Sequence, residues 1–338
     1  MSYQVSKYII PENTKLIKIG SVNVNLTDSI NRNENIKCIV DYIFSEVSDL
    51  ILDIICLQGI NDHNLANILI KRIYDESIIR KKPVHIVPKS SSDSATSFEN
   101  SFQNQWNSDT NLESDEIDNI IISRYPIVMT SNVYLNNKNE EKLVKNKKIV
   151  VANIDVDGYL LSVYSTSLSD DYLNISNSEF RKKEASGIYK MIKTNTKEIL
   201  KYCEKNNYKI IIKDVHILCA NLNISEMKGD ILNNELTHTL KSLNALDIFR
   251  CHNIINNTID PGYTNVHNKR ECYILISFKK DMHGEEYITP KTLMTKTYNE
   301  LGVGVVMSYV VTSIKMNDNY PIECVFLLDK KEKKIITE

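Results

Sequence analysis

The chain has 338 residues, of which 42% are hydrophobic and 25% charged, and its formal net charge is -2. That length buries a large core and suits one large α/β domain or two smaller ones, while the charge balance excludes a global attraction to nucleic acid or anionic lipid. No apolar run approaches the length of a membrane span, and the N-terminal MSYQVSKYIIPENTK has no apolar signal region.

Strand and helix patterns alternate along the chain. Leu16–Val22 reads as a buried strand, and Ile36, Val40, Ile43, Val47 and Leu50 then recur at helical spacing. Ile54–Leu57 is a short buried strand and Leu65–Ile73 a second helix. Val84–Val87, Asn119–Ser123, Ile149–Ile154 and Leu160–Tyr164 follow as strands, the last two joined by a turn at Asp157-Gly158. A long helix is predicted from about Glu179 to Lys205, a strand over Lys209–Cys219 and a helix over Ile231–Leu243. Tyr273–Ser277, Val303–Ile314 and Glu323–Leu328 complete the strands. The organisation predicted is an N-terminal extension (1–15), a single domain (16–328) and a charged tail (329–338).

One segment within that domain, 89–116, is rich in Ser, Asn and Asp and reads as a polar insertion. Its Phe98, Phe102 and Trp106 fall four residues apart, on one face if helical. They read either as a cap on the domain's own core or as an aromatic docking face for a partner protein.

The seven cysteines (Cys38, Cys56, Cys203, Cys219, Cys251, Cys272, Cys324) are scattered, odd in number and without C-x-x-C spacing. Several lie in apolar runs, where cysteine behaves as a small buried hydrophobe. The expectation is a reducing intracellular compartment, the cytoplasm, with neither a disulfide framework nor a zinc site. Basic residues cluster at Lys81–Lys82, Lys145–Lys148 and Arg181–Lys183; solvated loops and helix faces are the default reading, local basic patches the alternative. Abundant Asn, Ile and Lys with only 9 Gly suits an A/T-rich genome such as that of a protist or a large virus.

Five segments carry the functional signal: Lys18–Asn25 (KIGSVNVN), Asp53–Ile60 (DIICLQGI), Ile121–Pro126 (IISRYP), Ile217–Asn223 (ILCANLN) and Asn317–Pro321 (NDNYP). Phosphodiester hydrolysis on strand ends needs a carboxylate for a divalent metal, a base for water and a group to stabilise the transition state. In order and spacing, these blocks resemble the endonuclease/exonuclease/phosphatase superfamily over almost the whole chain, Leu16 to Leu328. That resemblance implies a four-layer α/β sandwich, two face-to-face mixed β-sheets flanked by helices.

The same resemblance implies a degenerate site. Asn23 stands where the family has its first-strand asparagine. Gly59 replaces the metal-binding glutamate of the L-Q-E block. Ser167 replaces the histidine of T-H-L, and Asn221 the water-orienting aspartate of G-D-x-N, whose asparagine survives as Asn223. Cys272 stands for the aspartate of R-x-D-Y-I, and Asp318-Asn319 for the terminal D-H pair, with Asn319 in place of histidine.

Neighbouring residues offer candidates for replacement chemistry. Asp62 and His63 follow the missing glutamate, and either one reads as reaching the old metal position from the next loop, the other reading being an exposed turn with Asn61 or Asp62 capping the next helix. Asp214 and His216 share a strand face, as a metal pair or acid–base pair, or else as a structural histidine or an exposed strand edge. Glu271 adjoins Cys272 but alternates to the opposite face. A Cys272 nucleophile has no histidine at a recognised spacing. The glycines around Gly304 mark a bend or bulge rather than a dinucleotide site.

The leading expectation is a catalytically inactive protein of this fold, acting as a binding or structural component with protein partners, within a larger assembly. It carries no cofactor or metal, though its old cleft could accept a phosphate-bearing ligand through Asn23 and Asn223. The first alternative is a divergent Mg²⁺-dependent phosphodiesterase of nuclease, inositol phosphatase or sphingomyelinase type, with Asn23, Asp318 and Asp62 as weak metal candidates. The second, a non-catalytic nucleic-acid-binding module, is disfavoured by the acidic balance.

Overall fold

The computed structural model describes residues 14–26, 32–45, 52–88, 117–135, 147–171, 178–206, 211–226, 234–256, 262–278, 303–316 and 318–329. Twelve strands form two six-stranded sheets. The first sheet contains β1 (Thr14–Asn23), β2 (Ile54–Gln58), β3 (His85–Val87), β4 (Ile120–Ser123), β11 (Val303–Val310) and β12 (Ile322–Asp329), in the order β11-β12-β1-β2-β4-β3. The second contains β5 (Ile127–Tyr134), β6 (Lys148–Val156), β7 (Tyr159–Ser167), β8 (Ile211–Glu226), β9 (Ala245–Asp247) and β10 (Arg270–Phe278), in the order β5-β6-β7-β8-β10-β9. Both sheets are mixed: β1/β2 and β7/β8 run parallel, and the other pairs are antiparallel.

Alternation along the strands assigns the layers. Ile17 and Ile19 of β1, Ile54 and Cys56 of β2, Leu161 and Val163 of β7, Val215 and Ile217 of β8 and Ile274 and Ile276 of β10 meet in one buried core between the sheets. On the far side of the first sheet lie α1 (Arg32–Ile43) and α2 (His63–Ile79), which bury Ile36, Ile39, Leu65, Leu69 and Ile73 against it. The second sheet is covered by α3 (Ser178–Lys205), through Ala185, Ile188 and Ile192, and by α4 (Asn234–Ser242), through Leu236. These are the four layers expected from the sequence.

The differences are local. The strand β5, at the edge of the second sheet, was not expected; its half-exposed face and central Thr130-Ser131-Asn132 dilute the alternation. Strand β9 and helix α5 (Ile248–Asn256) were also missed, because one apolar run passes from strand to helix without a break. β8 continues seven residues beyond Cys219, to Glu226, and β11 stops at Val310 rather than Ile314. Phe98, Phe102 and Trp106 lie outside the described residues, as do residues 1–13 and the tail from 330.

Two buried ionic links brace the sandwich. Arg270 at the start of β10 pairs in two-pronged fashion with Asp247, at 2.6 Å on both contacts, between the rings of Phe249 and Tyr273. Lys18 of β1 pairs with Glu323 of β12 at 2.7 Å, and the same carboxylate accepts from Tyr42 and Tyr309.

Candidate functional site

The parallel pairs β1/β2 and β7/β8 end at the same mouth of the sandwich. There the inter-sheet core changes from aliphatic to small and polar. Ser21 and Gln58 of the first sheet meet Ser165 of the second: Ser21 Oγ donates to Gln58 Oε1 at 3.3 Å, and Gln58 Nε2 donates to Ser165 Oγ at 3.1 Å. Gln58 is fully buried, so the retained glutamine of the Leu57-Gln58-Gly59 block ties one sheet to the other.

Above that tie stand the block residues. Asn23 and Gln58 are partners across β1 and β2. Ser167 and Asn221 are partners across β7 and β8, and Asn221 and Cys272 across β8 and β10. The two sheets approach each other here as well, with the backbone of Asn23 beside the thiol of Cys272. Asn319 enters through a bridge to Asn265, next to Thr264, whose hydroxyl accepts from the backbone N–H groups of Glu271 and Cys272. Asn23, Gly59, Ser167, Asn221, Cys272 and Asn319 are thus brought to one mouth.

Gly59 decides what the mouth can do. Its φ is +73°, a conformation that side chains other than glycine's adopt at a cost. The side-chain oxygen of Asn23 also occupies the space that a β-carbon at 59 would need. The position lacks a carboxylate, and its surroundings have closed over the place where one would start.

Asn23, which ends β1, and Asn221, within β8, are committed to local structure in the same way. Asn23 Oδ1 accepts from the N–H of Asn25, and Asn221 Oδ1 from that of Asn223, each at 3.3 Å. Both second residues turn through positive φ, 39° at Asn25 and 52° at Asn223, as asparagine tolerates best among residues with side chains. Asn223 further donates its amide to Leu168 O at 2.6 Å. A neutral amide cannot take a proton from water, so neither residue is a general base.

The remaining candidates have other partners. Asp62 caps α2, accepting from Leu65 N–H at 3.0 Å. Asp318 points outward, with a side chain 60% exposed beside Lys315 and His267. His216 is buried and satisfied by Tyr164 and Thr196, and the side chain of Asp214 lies outside the described positions. Glu271 accepts from Asn265 at 3.3 Å. Burial pushes the Cys272 thiol up to about 12, against the opposing pull of its Asn23 and Thr264 contacts, so it is no nucleophile near neutrality. Ser167 Oγ and Asn119 Oδ1 are buried without a hydrogen-bond partner among the described residues.

The fold implies Mg²⁺, and this donor set does not fit it. A hard dication wants several oxygens, carboxylates among them. Among the block residues gathered with Gly59 the oxygens are amide and hydroxyl, and two of the amide oxygens already accept from the backbone. Among the described residues no group of three or more His, Cys, Asp or Glu side chains is placed to hold a metal ion.

Sequence reading missed Gln58–Ser165, the Thr264 anchor and Asn119, which donates to Lys148 O at 3.1 Å. A polar residue at an inward-facing strand position was the available signal for Gln58 and Ser165.

Comparison with solved structures gives the same architecture over nearly the whole chain. An endonuclease/exonuclease/phosphatase family protein from Bacteroides thetaiotaomicron superimposes with a TM-score of 0.55 at 10% identity, covering 94% of this chain and 96% of that one. The fold is that of the endonuclease/exonuclease/phosphatase superfamily. A family protein from Leptotrichia buccalis gives a TM-score of 0.52 at 16% identity, with 91% and 98% covered. D. rerio TDP2, solved with a single-strand DNA product, gives 0.50 at 12% identity, with 92% and 98% covered. No protein-family model matches the chain, and no curated protein matches it in sequence. At such identities the likeness speaks for the fold alone. No helix among the described residues is long and apolar enough to cross a membrane.

Proposed function

We propose that this chain is a non-hydrolysing protein built on the phosphodiesterase fold, working as a binding or structural component. One observation carries the reading: Gly59, at positive φ, has its side-chain space filled by Asn23. Without a carboxylate there the fold's metal has no principal ligand, and without an ionisable group at Asn221 water has no base. A single acid–base group is typically worth about 10²–10⁴-fold in rate. Catalytic groups act as a unit, so these losses do not multiply freely; losing both still leaves little to work with.

What supports this further is which block residues remain. Gln58, Ser123, Arg270 and Tyr273 all make structural hydrogen bonds: Gln58 across the sheets, Ser123 to Tyr125, Arg270 to Asp247 and Tyr273 to Ile224 and Arg270 carbonyls. Residues that hold the fold persist, and those that would do chemistry are replaced.

The partner in this reading is a protein, contacted in part through the insertion bearing Phe98, Phe102 and Trp106, with the cell interior as the setting. Charge is the only argument against nucleic acid, and a similarly folded protein holds a single-strand DNA product, so single-stranded DNA belongs in the test. Purified protein with Mg²⁺ or Mn²⁺ is assayed on DNA, RNA, inositol phosphates and sphingomyelin. No turnover above background is expected. Turnover that disappears in Asp318→Ala would overturn the reading in favour of a divergent enzyme.

A further inference from the structure

The large apolar side chains exposed among the described residues are Ile68, Ile78, Ile79 and Leu200, at 48%, 76%, 72% and 42% exposure. Three of the four belong to α2. With 3.6 residues per turn, Ile68, Lys71, Arg72, Asp75, Ile78 and Ile79 share the stripe opposite the face buried against the first sheet, and the last five are exposed along with Ile68. Just beyond the helix, Lys81 is exposed in a left-handed turn, followed by Lys82. Arg80, at the helix end before them, is tied back to Glu76, Asp41 and Phe44 O. The turn therefore projects two isoleucines flanked by cations, with Asp75 the one acid on the stripe.

We propose that the C-terminal end of α2 docks on an anionic lipid bilayer surface, with Ile78 and Ile79 entering the headgroup–acyl boundary and Lys71, Arg72, Lys81 and Lys82 facing the phosphates. Protein interfaces are depleted in lysine and enriched in aromatic residues, whereas this patch is aliphatic and basic, the composition that suits an anionic membrane surface. The overall charge of -2 does not oppose it, because screening confines the attraction to roughly 10 Å from the surface. The placement is consistent with binding elsewhere on the molecule. β2 ends at the mouth, α2 runs back from it, and His85 after the turn pairs with Ser123, which in turn pairs with Ile54 at the far end of β2. A membrane at this end leaves the mouth facing away from it.

The full chain is sedimented with phosphatidylcholine vesicles, with and without phosphatidylserine. The expected result is binding only when phosphatidylserine is present, weakened by salt. Ile78→Ser/Ile79→Ser is expected to lower binding by about tenfold or more, and Lys81→Glu/Lys82→Glu to abolish it. Leu200→Ser, on α3, is expected to leave it unchanged. All these positions are surface sites, so unchanged melting temperatures separate lost docking from lost folding. Failure of the wild-type chain to bind phosphatidylserine vesicles would overturn the proposal, as would undiminished binding by the double-serine variant or binding to an acidic protein with none to vesicles.

Discussion

Asn23 places its side-chain oxygen where a β-carbon on Gly59 would sit. Asn23 ends β1 and Gly59 follows the end of the adjacent parallel strand β2, and their contact means that placing a glutamate at 59 takes more than one substitution. Gly59→Glu meets both a positive φ and a filled site. It is expected to destabilise the protein by about 1–3 kcal/mol, read as a lower melting temperature, without giving metal-dependent turnover. Mg²⁺-dependent stabilisation of the variant would show that the seat is still open.

Gln58 links the sheets in a fully buried site. Gln58→Ala removes the bridge and leaves Ser165 Oγ without that donor, at an expected cost of about 1–3 kcal/mol. The check is a lower denaturant midpoint with an unchanged slope. An unaltered midpoint would mean that the bridge contributes nothing net.

Ser167 offers the opposite case. Its hydroxyl is buried without a partner among the described residues, so Ser167→Ala is expected to be neutral or stabilising. A loss beyond about 1 kcal/mol, on the same scale, would show that the hydroxyl is hydrogen-bonded in solution.

The four-layer architecture and most of the strands were legible because apolar periodicity and short ordered motifs both survive drift. The edge strand β5 was not, since a half-exposed edge carries a diluted pattern. One property of the site was legible in the letters: a glycine at 59 has no side chain with which to bind a metal. That Asn23 fills the space beside it, and that Asn23 and Asn221 each accept from the backbone of the asparagine two residues on, depends on φ values that composition does not report.

Stability should decline at alkaline pH. Burial raises the thiols of Cys251 and Cys272 to about 12, and lifts those of Cys56 and Cys324 and the Tyr42 hydroxyl well above their usual ranges. Unfolded thiols ionise at about 8.5 and tyrosines at about 10. The folded state therefore holds these protons more tightly. Its advantage is complete below pH of about 8.5 and drains away as pH rises towards the folded values. A denaturant midpoint that stays flat from neutrality to pH of about 11 would contradict this.

The central claim is that the mouth has lost its metal seat while the sandwich around it is intact, and calorimetric titration of the wild-type chain with Mn²⁺ tests it most directly. The account predicts heats of dilution alone, with the same result in Asn23→Ala and Asp318→Ala. A saturable one-site isotherm that either substitution removes would contradict it.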